Sequence, residues 1–217
     1  MAKLKVSSFL FLLALTFCSC SNSSMRIMAT WVNKKDIPPP QPGKHKIFIF
    51  AMTQNYEAQV DIETDLAAAA EAKGILTVKC INAFGPILTA DKLPKKDVLI
   101  NAIKDLGCDA IFVMAVVDQK SETHYVPATS SSVYVPYSGY GYYYSGFYAY
   151  SPSFYSPGYY TTDKTYFIES NLYDLKTEKL LISMQSKVEN PGEITKASKQ
   201  YTQMLVTELQ NQGLMRK

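Results

Sequence analysis

One apolar stretch in the middle of the chain constrains the fold more than any other feature. Asp109 to Asp118, DAIFVMAVVD, is a nearly unbroken apolar run rich in β-branched residues, and the helix-ending dipeptide Leu106-Gly107 comes just before it. Such a run, without the alternation of a half-exposed strand, is typical of a strand that is buried on both faces. We therefore predict an α/β domain with this strand at the centre of its sheet.

The periodicity on either side predicts a mixed α/β sheet with about five strands and three helices, in the order β-α-β-α-β-β-β-α. The other predicted strands are Lys46 to Met52, Ile75 to Ile81, Thr165 to Tyr173 and Leu180 to Val188. The predicted helices are Ala58 to Lys73, Lys95 to Leu106 and a last one that begins just after Asn190. For this last helix, Asn190, Pro191 and Glu193 have the spacing of a cap, a first helical residue and a capping box.

The first twenty residues have the pattern of a lipoprotein signal. Lys3 and Lys5 precede an apolar core that is far shorter than the ~20 residues a spanning helix needs. The sequence Phe17-Cys18-Ser19-Cys20 then resembles a bacterial lipobox, with Phe17 where Leu is usual. We expect residues 1–19 to be removed and Cys20 to carry acyl chains such as palmitate, which anchor the protein in a membrane. A plain signal peptide remains the alternative.

Residues 20–44 are interpreted as the lipidated cysteine followed by a tether. Pro38-Pro39-Pro40 and Pro42-Gly43 favour extended polyproline geometry, which would make the tether a semi-rigid spacer. Within it, Ala29 to Val32 holds Trp31, the only tryptophan of the chain. Trp31 belongs either to a short edge strand or plug packed on the domain, or to a ligand-stacking site. Residues 45–215 then form the single domain.

A tyrosine-rich insertion, residues 130–161, separates the third predicted strand from the fourth. Eleven of the sixteen tyrosines fall between positions 133 and 160, interleaved with Gly, Ser and Pro. One interpretation is a variable loop of no fixed role, and the other is an aromatic surface that binds protein or glycan. A transmembrane hairpin is disfavoured because Pro136, Pro152 and Pro157, together with the Gly and Ser residues, break any alternating apolar run of strand length. The candidate interaction residues are Trp31, Tyr134, Tyr137, Tyr140, Tyr142, Tyr143, Tyr144, Phe147, Tyr148, Tyr150 and Tyr155.

The central strand, the aromatic insertion and the hairpin sequence IESNLYDLKTEKLLISMQSKV together resemble a group of uncharacterised bacterial outer-membrane lipoproteins of the Bacteroidota type. Their domain is similar to that of CsgG-like secretion lipoproteins and to the N-terminal domain of TolB. The resemblance covers about residues 30–215 and implies a fold and an envelope location, but no activity. Residues 21–24 carry no acidic side chain, which favours the periplasmic face of the outer membrane over surface export.

The residues that usually carry chemistry form no recognisable constellation in the sequence. His45 and His124 have no nucleophile or carboxylate at a telling spacing, and we expect no metal site and no cofactor. The carboxylates Asp61, Glu63 and Asp65 are interpreted as solvated charges near a helix start. Two further residues, Cys80 and Cys108, are expected to be free buried thiols, with a disulfide as the alternative.

These observations predict a non-catalytic, lipid-anchored envelope protein that binds another envelope protein or a glycan. Without the leader lysines, 20 basic residues face 19 acidic ones, so we expect no nucleic acid as a partner. The alternatives are a CsgG-like oligomeric structural or secretion component and an enzyme of unknown reaction.

Overall fold

A computed structural model describes residues 24–37, 41, 43–87, 92–122 and 163–215. Six strands and four helices are formed by these residues. The strands are β1 (Ser24–Val32), β2 (Lys46–Met52), β3 (Leu76–Lys79), β4 (Ala110–Glu122), β5 (Asp163–Asp174) and β6 (Leu180–Glu189). The helices are α1 (Tyr56–Glu71), α2 (Cys80–Phe84), α3 (Lys96–Asp105) and α4 (Ile194–Asn211).

All six strands form one mixed sheet in the order β1-β6-β5-β4-β2-β3. The strand β2 pairs in parallel with β3 and β4, whereas β4, β5, β6 and β1 pair antiparallel in succession. This arrangement confirms the mixed α/β fold, with one strand and one short helix more than the sequence predicted.

The sheet is covered on both faces, so it separates two hydrophobic cores. On one face, α2 and α3 pack on β2 and β4, where Phe48, Val113 and Leu99 are fully buried. On the other face, α1 and α4 pack on the sheet around Met184 and Leu205. The prediction that the central strand is buried on both faces is confirmed.

The N-terminal strand is the largest correction to the predicted organisation. Residues 24–32 were expected in the tether, but they form β1, which pairs along its length with β6. The hydroxyl of Thr30 also donates to Glu208 Oε1 of α4 at 2.7 Å. The edge-strand interpretation of Trp31 is therefore confirmed. The folded domain begins at Ser24 at the latest, because the alternating side chains of β1 cover the edge of the α4 core.

Two further local predictions were wrong. The strand predicted to run to Ile81 ends at Lys79, because Cys80 begins the helix α2. The cap predicted at Asn190 does not form, and α4 begins at Ile194. Instead, Asn190 Oδ1 accepts a hydrogen bond from the Lys164 amide at 2.9 Å, so this side chain closes the start of β5.

Candidate functional site

One end of the sheet brings together the start of the folded domain and the two ends of the tyrosine-rich insertion. Ser24 pairs with Glu189, Glu189 pairs with Thr165, and Thr165 pairs with Lys120. These four residues form one row across four neighbouring strands, which we call the anchor end. Neighbouring strands lie ~4.8 Å apart, so Ser24 is about 15 Å from Lys120.

The two strands that flank the insertion end just beyond that row. Glu122 at the end of β4 pairs directly with Asp163 at the start of β5. The aromatic candidates from Tyr134 to Tyr155, as well as Cys20 and His124, lie outside the described residues. What the described residues establish is the position of these two strand ends, which are on the same side of the sheet as the start of β1.

Polar contacts hold the anchor end together. The Lys187 ammonium forms an ion pair with the Glu189 carboxylate, and this contact, together with a hydrogen bond from Ser24, keeps the pKa of Glu189 below its usual value. Asn190 Nδ2 donates to Asp163 Oδ1 at 3.0 Å. The Lys120 ammonium lies 5.5 Å from the ring centre of Phe167, within cation–π range. The strand ends that flank the insertion are thus fixed to one another.

Trp31 lies at the opposite end of β1 and is not brought together with the insertion. It pairs with Ser183, six residues along β6 from Glu189, which is about 20 Å. Its side chain is 51% exposed, and Met28 on the same strand is 48% exposed. Among the described residues, no strand pairs with the outer edge of β1. Trp31 and Met28 therefore mark a second surface, the β1 edge.

A histidine–carboxylate pair that the sequence analysis missed lies at the other end of the sheet. His45 Nδ1 lies 2.7 Å from Asp109 Oδ2, and Asp109 Oδ1 accepts a hydrogen bond from the Lys46 amide at 3.1 Å. The pair closes the start of β2 against the start of β4, which is a structural role. The parallel pairing of Ile47 with Ala110 brings the two residues together, although 64 positions separate them in sequence.

Three acidic residues of α1, Asp61, Glu63 and Asp65, were wrongly interpreted as solvated charges. Glu63 is completely buried. Its Oε1 accepts hydrogen bonds from the Ala51 amide and from Gln59 Nε2, both at 3.2 Å, and its Oε2 accepts one from the Ile81 amide at 2.8 Å. This carboxyl thus joins α1 to the end of β2 and to the start of α2.

The other two carboxylates connect the two helices on that face. Asp61 accepts a hydrogen bond from the Thr195 hydroxyl at 2.7 Å, and Asp65 accepts one from the Ser198 hydroxyl at 2.6 Å. In the part of the chain that the structure describes, no cluster of His, Cys, Asp and Glu could hold a metal ion.

Cys80 and Cys108 are free and buried, as predicted. Burial raises the pKa of both thiols, and for Cys80 the nearby Glu63 charge adds to the effect. A thiol that stays protonated is a poor nucleophile, so these residues behave as small apolar side chains. Across the described ranges, no helix is long and apolar enough to cross a membrane.

Comparisons with known proteins give similarity in fold only. No protein-family model matches the chain, and no curated protein matches it. The PelC dodecamer from Paraburkholderia phytofirmans is similar with a TM-score of 0.44 and 11% identity, covering 84% of this chain and 95% of that one. Lipoprotein GNA1162 from Neisseria meningitidis is similar with a TM-score of 0.40 and 12% identity, covering 77% and 96%. At such values we draw no functional conclusion from either match.

The buried Glu63 carboxyl predicts a pH dependence of stability. Burial raises its pKa from 4.5 to about 7, although three hydrogen bonds act in the opposite direction. The native state then binds this proton more tightly than the unfolded state does. This stabilisation is complete below pH 4.5 and is lost as the pH rises through about 7. We expect the free energy of unfolding of the natural protein, relative to Glu63→Gln, to fall by up to about 3 kcal/mol between pH 4.5 and 8.

Urea denaturation at a series of pH values measures this difference. Glu57→Gln is the matched control, because Glu57 lies on the same helix and is exposed. The Glu57→Gln curve should run parallel to that of the natural protein. A Glu63→Gln curve that also ran parallel would contradict the prediction.

Proposed function

We propose that this chain is a lipid-anchored protein of the cell envelope, non-catalytic, whose domain and tyrosine-rich insertion bind a partner beside the bilayer. The observation that carries the proposal is the short distance in sequence between the lipidation candidate Cys20 and the edge strand. Four Cα–Cα steps separate Cys20 from Ser24, and at ~3.6 Å each they span at most about 14 Å.

This distance changes the role of the proline-rich segment. Pro38-Pro39-Pro40 follows β1 in the chain, so it joins β1 to β2 and is no spacer between lipid and domain. A lipidated Cys20 would hold the anchor end within about 14 Å of the bilayer surface. The expectation of a domain lifted off the membrane by a tether is therefore replaced by one of a domain that lies directly on it.

The same geometry supports a position of the insertion near lipid headgroups. The strand ends that flank it, Glu122 and Asp163, lie within four strand spacings of Ser24, which is about 20 Å. Tyrosine combines an apolar ring with a polar tip and is enriched where membrane meets water. We propose that the insertion binds an envelope protein or a glycan in this layer, on the periplasmic face of the outer membrane.

The anchor is tested by substituting the lipidation candidate. In the natural protein, the mature form should begin at Cys20, carry acyl mass and fractionate with membranes. Cys20→Ala should remove the acyl mass and release the protein, because two or more chains at ~0.8 kcal/mol per buried CH₂ supply the binding energy. Cys18→Ala is the matched control and should stay acylated. An unmodified mature mass in the natural protein would contradict the anchor.

The role of the insertion is tested by deleting residues 130–161. Because Glu122 and Asp163 pair directly, we expect the shortened chain to fold with an unchanged melting temperature and to lose its partner. Chemical cross-linking in cells detects a protein partner, and sedimentation with isolated peptidoglycan detects a glycan.

Two controls sharpen that experiment. A variant of full length with the insertion tyrosines replaced by serine separates the aromatic rings from the length of the loop. A flexible ten-residue Gly/Ser segment after Ser23, about 17 Å long on average, lifts the domain without removing the lipid, and it should weaken binding. If the deletion variant still captured the same partners, the insertion would not be the binding surface.

Self-association through the β1 edge is the second candidate function, as in an oligomeric structural component. The outer backbone groups of an edge strand can pair with another chain, and exposed Trp31 and Met28 add apolar contact. An assembly should then have several times the 24.3 kDa chain mass by light scattering in detergent. We expect the double variant Met28→Lys/Trp31→Lys to be monomeric.

Val98→Lys is the control for this experiment, since Val98 is 59% exposed on α3. It should leave the assembly unchanged. A natural protein that has the mass of one chain would exclude this candidate.

A further inference from the structure

An apolar cavity of about 300 Å³ lies between the sheet and the C-terminal halves of α1 and α4. Leu66 and Ala70 line it from α1, and Leu205 and Leu209 line it from α4. The sheet contributes Phe112 among others. Earlier along both helices, Asp61 and Asp65 of α1 accept the hydrogen bonds from Thr195 and Ser198 of α4 described above. The cavity opens where those bonds end, and its volume is at the lower limit of small-molecule sites, ~300–1,000 Å³.

The cavity extends both along the strands and across the sheet, since β2, β4, β5 and β6 all line it. Along β2 it reaches from His45 to Ile49, four residues further, which is about 13 Å. Its volume corresponds to roughly ten groups of the size of a water molecule at ~30 Å³ each. That volume and the apolar walls fit one medium-length hydrocarbon chain.

The polar lining is confined to the end that includes His45, and most of its acceptors are already engaged. Asp109 accepts from His45 and from the Lys46 amide. Asp174 accepts from the Thr177 amide at 2.6 Å and from the Thr177 hydroxyl at 2.7 Å. Lys73 follows the end of α1 and forms no ion pair with any described residue. Its ammonium group is therefore available to a ligand as a charged donor.

We propose that this cavity binds a medium-chain fatty acid, with the hydrocarbon chain between α1 and α4 and the carboxylate at Lys73. The apolar walls gain free energy when they cover hydrocarbon instead of water. The ammonium then forms a charge-assisted hydrogen bond with the head group. A ligand without a hydrogen-bond acceptor in its head group could not bind the Lys73 ammonium in this way.

The acyl chain would come from a separate molecule. Ile182 lines the cavity and pairs with Val32, whereas the anchor end of β6 is at Glu189. Seven residues separate the two positions, which is about 24 Å along the strand. Cys20 reaches at most about 14 Å from Ser24, so this residue itself stays short of the cavity. Labelling by an added fatty acid can also be measured on Cys20→Ala, so its outcome is independent of the function proposed above.

The test uses the full-length protein in lipid nanodiscs and decanoic acid that carries a terminal diazirine. After irradiation, we expect labelled peptides from both walls, including those with Leu66 and Leu205, and competition by unlabelled decanoic acid. Ala70→Phe should fill the cavity and lower this labelling at least tenfold. Ala68→Phe is the matched control, because Ala68 is exposed on the same helix, and it should leave labelling unchanged.

A second pair of variants tests the head-group contact without altering the packing. Lys73→Gln should weaken labelling by the acid about tenfold, which corresponds to the loss of one charge-assisted hydrogen bond at ~1.4 kcal/mol, and should leave labelling by the matching decanol probe unchanged. Lys104→Gln, on the exposed surface of α3, should change neither. Labelling confined to exposed peptides would overturn the proposal. Labelling that persisted in a folded Ala70→Phe variant would also overturn it. If Ala70→Phe failed to fold, an equal effect of Lys73→Gln on labelling by the acid and by the alcohol would overturn it instead.

Discussion

The pairing of β4 is the constraint on which the rest of the structure depends. Its first six residues pair with β2 on one side, while β5 pairs with it along its whole length. Because Val113 and Ala115 are buried on one face and Met114 on the other, helices must cover both sides of the sheet. Beyond Ala115, β4 continues with β5 alone, and this extension carries the ends of the insertion to the anchor end.

The hydrogen bonds on the α1–α4 face explain both the position of the helices and the cavity between them. The Tyr201 hydroxyl lies 3.0 Å from Ser170 Oγ and donates to Ser186 Oγ at 3.1 Å, which fixes α4 on β5 and β6. Asp61 and Asp65 then hold α1 against the start of α4. On α4, all of these contacts lie in the first half of the helix. Apolar side chains from the second halves of α1 and α4 line the cavity.

Sequence patterns predicted the elements whose signal is local. The apolar run of β4, the hairpin of β5 and β6, and the amphipathic stripe of α3 all follow from period and turn residues. Of β1, only Ala29 to Val32 was interpreted as a short edge strand, because the flanking prolines and polar residues favour a tether. The whole segment is a strand because β6 offers an edge. Likewise, Asn190 has the composition of a helix cap, yet the backbone of β5 competes successfully for its side chain.

The candidate sites were less predictable because they depend on contacts between distant parts of the chain. His45 meets Asp109 only through the parallel pairing of β2 with β4, and Glu63 is buried only because β2 and α2 present backbone amides to it. Periodicity placed Glu63 on a helix but could not reveal what covers that face. The cavity has no sequence signature at all, since its lining residues are ordinary core positions of four strands and two helices.

The two ends of the sheet are suited to different tasks. The anchor end holds charged pairs, the strand that follows Cys20 and the ends of an aromatic insertion, all of which suit a surface between lipid headgroups and a partner. The other end holds the start of β2 and the polar rim of an apolar cavity, about 24 Å further along β6. Close-packed strands connect the two and resist deformation. In the proposed arrangement, a bound acyl chain would be presented on the side away from the bilayer, where another envelope component could reach it without displacing the anchor.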